Sequence, residues 1–189
     1  PISFKVDGGE NVINPLGLYG HRLEVDLYLI CVKSSYIQNI NRLIHQIGYE
    51  IKYPFLSGIA ASKVVFVADL LKKGLHIFAD IGSDITGLYQ FKDGILHDIQ
   101  ILPLGGDDIT YKLAHILKIP FELAQDIKES YASIGEYKHS EEVMIKRGIH
   151  YSPVSRDLIC EVVTTEAKSL VQSIKKNISN IVSKPHSID

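Results

Sequence analysis

Cysteine is scarce in this sequence, with only Cys31 and Cys160 among 189 residues. The two lie far apart in the chain and form no CxxC motif, which argues against the short-spaced redox and metal sites that use such a pair. Each belongs to an apolar periodic segment. We therefore expect two buried, reduced thiols, the usual state of cysteine in a cytosolic protein.

Several catalytic motifs are also missing. The eight histidines show no HExxH or other metal-ligand spacing. Neither the G-x-x-x-x-G-K-[ST] phosphate loop nor the G-x-S-x-G nucleophile elbow occurs. His97 lies in a predicted strand, where we interpret it as a surface or core residue and not as a base. These absences argue against zinc-dependent proteases, P-loop nucleotidases and α/β-hydrolases.

An excess of charge of one sign and long apolar runs are lacking as well. The formal net charge is −2, so we expect no basic surface that follows a nucleic-acid backbone, and no nucleic-acid partner. No apolar run reaches the length of a membrane-spanning helix. Hydrophobic residues make up 46% of the sequence, which is typical of a globular protein.

The first part of the chain alternates between strand-like and helix-like patterns. Leu23–Cys31 has apolar residues at every second position, which predicts a half-buried strand. Ser34 or Ser35 is the expected cap of the helix that follows. A short strand around Ile51 and a helix over roughly 59–71 are predicted next.

The remaining residues predict a hairpin block followed by helices. The expected strands are Leu75–Asp80, Ile85–Phe91 and Ile95–Leu102, with the turn Lys92-Asp93-Gly94 between the last two. The expected helices are one capped by Asp107 and ended by Pro120, a second over Phe121–Tyr131, and a long third capped by Ser155. A polar stretch, 135–148, predicts a loop with extended pieces. Alternating strands and helices predict an α/β fold with a mixed sheet.

The stretch with most bearing on function is DIGSDIT, at Asp80–Thr86, between the first two central strands. Backbone N–H groups of such a turn can converge on a phosphate oxygen, and the glycine permits a close approach. An aspartate at the end of the strand can hold a magnesium ion or its water. The same pattern is also typical of an ordinary tight turn, and that alternative stays open.

Two further features follow this loop. Gly105-Gly106-Asp107 precedes a predicted helix, where unpaired N–H groups and the helix dipole favour an anion. Lys128 and Glu129 lie on the next helix and can reach a sugar or base. Taken singly, the glycine pair is typical of a chain reversal and the lysine–glutamate pair of a solvated helix surface. Their order along the chain favours a nucleotide site.

Together these residues resemble the FtsA family of bacterial cell-division proteins, within the actin-like ATPase superfamily. The resemblance is carried by residues 79–135, ADIGSDITGLYQFKDGILHDIQILPLGGDDITYKLAHILKIPFELAQDIKESYASIG. NPLGLYGHRLEV, at Asn14–Val25, resembles the end of the subdomain inserted in this family. SRDLICEVV, at Ser155–Val163, resembles the family's long helix.

The resemblance implies a fold and its division. We expect an actin-like, ribonuclease H-like mixed sheet flanked by helices, with part of the FtsA inserted subdomain at the N-terminus. Residues 1–22 would end that subdomain and form a linker, 23–74 would be a linking strand and helices, and 75–189 an incomplete second core domain with its helical subdomain. The family's first phosphate loop would lie upstream of Pro1 and its adenine-side loop downstream of Asp189, so we expect a fragment.

The resemblance also implies site residues. The implied nucleotide-binding residues are Asp80, Gly82, Ser83, Thr86, Gly105, Gly106, Lys128 and Glu129. Asp80, Gly82 and Thr86 would form the second phosphate loop, the glycine pair would lie beside the phosphates, and the last two residues would face the adenosine. The cofactors would be ATP and Mg²⁺, with Asp80 as the metal ligand. No catalytic residue is assigned.

Partners and location follow from the same resemblance. The full-length protein would bind ATP, associate with itself through actin-like filament contacts, and link FtsZ to the cytoplasmic face of the inner membrane at the division septum. A C-terminal helix absent from this chain would contact the membrane. Arg156 falls where a basic residue of the surface for the FtsZ C-terminal tail is expected. The alternative is a first-turn helix residue beside Asp157.

The loop departs from the family pattern. FtsA-like loops read Asp-x-Gly-Gly-Gly-Thr-Thr, whereas here Ser83 and Asp84 replace two glycines and Ile85 replaces a threonine. A carboxylate about 4 Å from a phosphate is repelled by about 1 kcal/mol in water and about 4 kcal/mol at an effective dielectric constant of about 20. We therefore expect weak nucleotide binding, weak ATPase activity at most in the full-length protein, and none in this fragment.

Two alternatives stay open within the superfamily. One is another actin-like scaffold, of the pilus-assembly or rod-shape type, and the other is a sugar kinase or chaperone-like ATPase. The segment Asn14–Val25 favours the cell-division family over the other scaffolds. A kinase would need a catalytic carboxylate in the cleft and insertions that face its substrate.

Overall fold

The computed structural model describes residues 3–12, 14–66, 73–135, 141–147 and 150–183. The elements in chain order are β1 (Ser3–Val6), β2 (Leu23–Asp26), α1 (Ser34–Gln46), α2 (Ser57–Val65), β3 (Leu75–Ile81), β4 (Thr86–Lys92), β5 (Ile95–Leu102), α3 (Gly106–Leu117), α4 (Phe121–Tyr131), β6 (Glu142–Arg147), β7 (His150–Ser155) and α5 (Arg156–Ser183). The predicted α/β class is confirmed. None of the described helices is both long and apolar enough to cross a membrane.

The strands form three small sheets. β1 pairs with β2 and β6 with β7, in each case antiparallel, while β3, β4 and β5 form a sheet in chain order. The turn between β4 and β5 contains Asp93 and Gly94, with positive φ values of 51° and 83°, as a two-residue hairpin turn requires. Connections this short make neighbouring strands antiparallel, because a parallel crossover needs a dozen or more residues.

The chain packs as two compact units. Unit 1 comprises Pro1–Phe78 and Tyr89–Ile99, and unit 2 comprises Ala79–Leu88 and Gln100–Asp189. Every candidate site residue named from the sequence therefore belongs to unit 2. The domain boundaries predicted from the sequence stay a prediction.

Unit 2 contains a buried apolar cluster to which α3, α4, α5 and the β6–β7 hairpin all contribute. Its buried members are Leu113, Leu117, Ile119, Ala124, Ile127, Val143, Ile145, Val154, Ile159 and Val162. Burial of a large apolar side chain contributes roughly 1.5–3 kcal/mol. This cluster fixes α3 and α4, the two helices that carry Gly106, Lys128 and Glu129.

Unit 1 contains a smaller aromatic cluster. Phe66, at the end of α2, makes edge-on contacts with Phe78 and Phe91, with ring centroids 6.1 and 5.9 Å apart. Gly58 lies against the ring of Tyr89, where an added Cβ would come within 2.0 Å of Tyr89 Cζ. The absence of a side chain at position 58 allows α2 to approach the sheet this closely.

The strand predicted over 23–31 is shorter and less buried than its pattern indicates. β2 ends at Asp26, which lies opposite Ser3 of β1. Leu29 is 76% exposed. Cys31 is also exposed, so the prediction of a buried thiol is wrong there, whereas Cys160 is buried as predicted.

Two further local predictions are wrong. The N-cap of α1 is Lys33, with no side-chain cap, and none of the helix's residues is buried. No strand forms around Ile51. β6 is an extended piece within the stretch 135–148, as predicted, and it pairs with β7, which follows that stretch. Residues 67–71 of the predicted helix, and 136–140 and 148 of the predicted loop, lie outside the described residues.

Neighbouring positions on β6 provide a test of the unit 2 core. Ile145 is 2% exposed and Met144 is 57% exposed. We expect Ile145→Ala to lower the free energy of unfolding by about 2–5 kcal/mol, because it leaves a cavity. Met144→Ala should change it by less than about 1 kcal/mol. Urea denaturation measures both, and equal losses would contradict this description of the core.

Candidate functional site

The loop between β3 and β4 caps the N-terminus of α3. Across the turn, the Gly82 N–H donates to the Ile85 carbonyl at 2.9 Å. The Gly106 N–H donates to the Gly82 carbonyl at 2.9 Å, and the Asp107 N–H donates to the Ser83 carbonyl at 2.7 Å. These bonds satisfy two N–H groups that a helix leaves unpaired at its start. The structure thus brings the predicted loop and the predicted glycine pair into direct contact.

Gly105 lies where the loop and the helix approach most closely. A Cβ at this position would lie 2.4 Å from the Ser83 carbonyl oxygen and 2.5 Å from that of Gly82. A Cβ at Gly106 would meet nothing closer than 3.8 Å. Packing therefore requires glycine at the first position of the pair and tolerates a side chain at the second.

The cap of α3 differs from the prediction. Gly105 is the N-cap, and Asp107 is the second helical residue. The Asp108 carboxylate accepts a hydrogen bond from the Gly105 N–H at 2.8 Å. The two carboxylates in this first turn also interact favourably with the helix dipole. The prediction of Asp107 as the cap is wrong because the helix already begins within the glycine pair.

The two ends of the loop differ in exposure. Thr86 is fully buried, and its Oγ1 donates to the Leu104 carbonyl at 2.8 Å, which ties the end of the loop to the residue before the glycine pair. Ser83 and Asp84 are exposed. Within the described residues their N–H groups donate no backbone hydrogen bond. Two amides at the tip of the loop therefore remain for an anion.

Lys128 reaches the same place from α4. Its Nζ donates to the Thr110 hydroxyl at 2.6 Å and to the Gly106 carbonyl at 3.1 Å. Both acceptors are uncharged, so neither neutralises the ammonium of this half-buried side chain. We call the following residues the corner: Gly82, Ser83, Asp84, Ile85, Gly105, Gly106 and Lys128.

Asp80 and Glu129 have different surroundings. Asp80 is half-buried near the end of β3. Its oxygens suit Mg²⁺, which is commonly held by one or two carboxylates together with phosphate oxygens and water. The described part of the chain contains no group of three or more acidic, histidine or cysteine side chains that could hold a metal. Glu129 is exposed and accepts a hydrogen bond from Gln125 Nε2 at 2.9 Å.

Arg156, the first residue of α5, has contacts of its own. Its Nε donates to the Tyr131 carbonyl at 3.0 Å, and its Nη1 pairs with the Glu141 carboxylate at 2.7 Å. Its backbone N–H donates to the Glu141 carbonyl at 3.0 Å. The guanidinium is thus held between the end of α4 and the residue that precedes β6. These contacts do not include the corner.

Two contributors to the site are missing from the sequence-based predictions. Asp108 stands three residues after the N-cap, the position of the acidic residue in a capping box, and this signal is readable in the sequence. Thr110 lies one helical turn after Gly106 and so on the same helix face. Its partner Lys128 belongs to another helix, which no local pattern reveals.

Comparison with known families gives two matches along the chain. The model described as "Cell division protein FtsA" matches residues 77–189, and the model described as "SHS2 domain inserted in FTSA" matches residues 1–31. FtsA of Buchnera aphidicola subsp. Baizongia pistaciae is 27% identical over 184 residues, which cover 95% of this chain and 44% of that protein. FtsA of Pseudomonas aeruginosa is 30% identical over 129 residues, 68% of this chain and 31% of that protein. The chain spans less than half the length of these relatives.

Solved structures are similar in fold. MreB5 of Spiroplasma citri, crystallised with ADP, has a TM-score of 0.61 at 15% identity, covering 83% of this chain and 50% of that one. The PilM–PilN type IV pilus biogenesis complex contains a chain with a TM-score of 0.56 at 14% identity, covering 80% and 39%. At such identities the likeness concerns the fold alone. It confirms the predicted actin-like fold.

The glycine pair offers a matched test of the contact between loop and helix. We expect Gly105→Ala to lower the free energy of unfolding by about 1–3 kcal/mol, because its methyl group would force the loop carbonyls away from α3. Gly106→Ala should be neutral or stabilise by about 0.5–1 kcal/mol, since alanine is the better helix residue. Thermal or urea unfolding compares the two variants. If Gly105→Ala left the free energy of unfolding unchanged, the close approach between the loop and α3 would be refuted.

Proposed function

Because the chain belongs to the FtsA family of cell-division proteins, we propose that its full-length protein is a cell-division adaptor that binds ATP with Mg²⁺ and links FtsZ filaments to the membrane. The observation that carries the nucleotide part of this proposal is the corner. There the loop, the start of α3 and the Lys128 ammonium meet.

The corner supports a bound nucleoside triphosphate through its amides and its cation. The N–H groups of Ser83 and Asp84 lie at the exposed loop tip, where they can donate to phosphate oxygens. The Lys128 ammonium supplies positive charge beside Gly106. MreB5, which shares the fold, was crystallised with ADP. When bound, Mg²⁺ would be held by Asp80 and would reduce the repulsion between carboxylate and phosphate.

The departure at Asp84 lowers the expected affinity but does not abolish it. This side chain is exposed, so water screens its carboxylate, and the repulsion of a phosphate lies nearer about 1 kcal/mol than the value of about 4 kcal/mol for a poorly solvated pair. We therefore propose weak binding and poor hydrolysis. In this proposal the nucleotide sets the conformation of the protein more than it fuels turnover.

A cell-division function is favoured over the alternative functions considered within the superfamily. Both family models that match this chain describe FtsA, whereas the similarity to the MreB5 and PilM–PilN structures is 14–15% in sequence and concerns the fold. For the full-length protein we propose self-association through actin-like filament contacts. Its location would be the cytoplasmic face of the inner membrane at the septum, with a C-terminal helix as the membrane contact.

Arg156 belongs to the proposed surface for the FtsZ C-terminal tail. Its side chain is 25% exposed, and its Glu141 partner is 68% exposed. A guanidinium has five N–H donors, and the contacts described above use only some of them. The others can bind a carboxylate or a carbonyl of a peptide.

The nucleotide proposal predicts a thermal shift. Millimolar ATP with Mg²⁺ should raise the melting temperature of the full-length protein, because a ligand at one hundred times its Kd stabilises the folded state by about 2.7 kcal/mol. Asp80→Asn should reduce the part of the shift that depends on Mg²⁺. Glu122→Gln, an exposed change on α4, serves as the control. If millimolar ATP caused no shift in the melting temperature, the loop would be interpreted as a structural turn and not as a nucleotide site.

The partner proposal predicts an effect of charge at position 156. Arg156→Gln should weaken binding of an FtsZ tail peptide by about tenfold, the usual scale for loss of a charge-assisted hydrogen bond. Glu141→Gln removes the competing carboxylate and should leave binding equal or tighter. Fluorescence anisotropy of a labelled peptide measures both variants. Equal affinity of Arg156→Gln and wild type would remove Arg156 from this surface.

A further inference from the structure

Thr110 is fully buried in α3, so its side chain cannot touch a ligand in the corner. Its hydroxyl nevertheless accepts a 2.6 Å hydrogen bond from Lys128 Nζ. We propose that Thr110 is a positioning residue that fixes the Lys128 ammonium for a bound nucleotide. This inference rests on the proposed function above and assigns to the same site a residue that does not itself contact the ligand.

The hydrogen-bonding capacity of Thr110 suits this role. A threonine hydroxyl has one hydrogen to donate and two lone pairs. It donates to the Gly106 carbonyl at 3.2 Å and accepts from Lys128. The same carbonyl accepts the second bond from Lys128 Nζ, at 3.1 Å. The hydroxyl, the ammonium and the carbonyl form a closed triangle of hydrogen bonds. Displacement of any one of these groups weakens its bonds to the other two.

Holding the Lys128 side chain in one position should raise its affinity for a ligand. Its four-carbon stem is flexible, and its ammonium is a point charge with three donors. Two of these donors are used by Thr110 and Gly106, which leaves the third for a ligand. A cation that is fixed before the ligand arrives loses less conformational freedom on binding, so affinity is higher.

The triangle is also joined to the loop. The Gly106 N–H donates to the Gly82 carbonyl, and the Gly106 carbonyl is the shared acceptor of the triangle. One residue of α3 therefore contacts the loop through its N–H and the lysine through its carbonyl. The positions of the loop amides and of the ammonium both depend on this first turn of α3.

The test is the ATP affinity of the full-length protein, measured by titration calorimetry with Mg²⁺. Thr110→Val keeps the shape of the side chain and removes the hydroxyl, and it should weaken affinity by about tenfold, as expected for one lost hydrogen bond to a charged group. Thr110→Ser keeps the hydroxyl and should bind like wild type. Ile159→Val, in the buried cluster of unit 2, is the control for a general loss of stability and should also bind like wild type.

A double-mutant cycle separates positioning from a structural role. If Thr110 acts through Lys128, Thr110→Val should cause no further loss of ATP affinity in a Lys128→Met background. Additive losses would overturn the inference, as would unchanged affinity in Thr110→Val alone. Should the valine variant fail to fold, Thr110→Ala removes the same hydroxyl and replaces it in the cycle. A wild-type protein that binds no ATP would overturn the proposed function itself, before any substitution is made.

Discussion

Two backbone hydrogen bonds, from the first turn of α3 to the carbonyls of Gly82 and Ser83, hold the candidate site together. Each contributes roughly 0.5–1.5 kcal/mol, and both depend on a close approach that only glycine permits at position 105. These bonds pair the first N–H groups of the helix and hold the backbone of the loop in one conformation. Without this contact the loop amides and Lys128 would be separate features of the surface.

The buried cluster of unit 2 supplies the rigidity that this contact needs. Ala124 and Ile127 are buried on the inner face of α4, and Lys128 is the next residue along the helix. The same helix ends at Tyr131, whose carbonyl accepts a hydrogen bond from Arg156. The residue proposed for the nucleotide and the residue proposed for the partner are therefore both positioned by one helix and its packing.

Family membership and local chemistry make different contributions to the functional conclusion. The match over residues 77–189 establishes the FtsA family, and the solved structures establish an actin-like fold. The loop of this chain departs from the family pattern, because Ser83 and Asp84 stand where that pattern has glycines. Both residues are exposed, so the side chains that replace the glycines are accommodated at the surface of the loop.

The sequence by itself determined the elements whose signals are local. β5 and α4 have the predicted bounds, and β3 and β4 differ from them by one residue, since alternation, helical periodicity and turn residues act over a few positions. Tertiary structure decided which residues meet. It left Cys31 exposed, and it placed Thr110 against Lys128, 18 residues away in the chain. Burial and long-range hydrogen bonds depend on packing between elements, which no local pattern specifies.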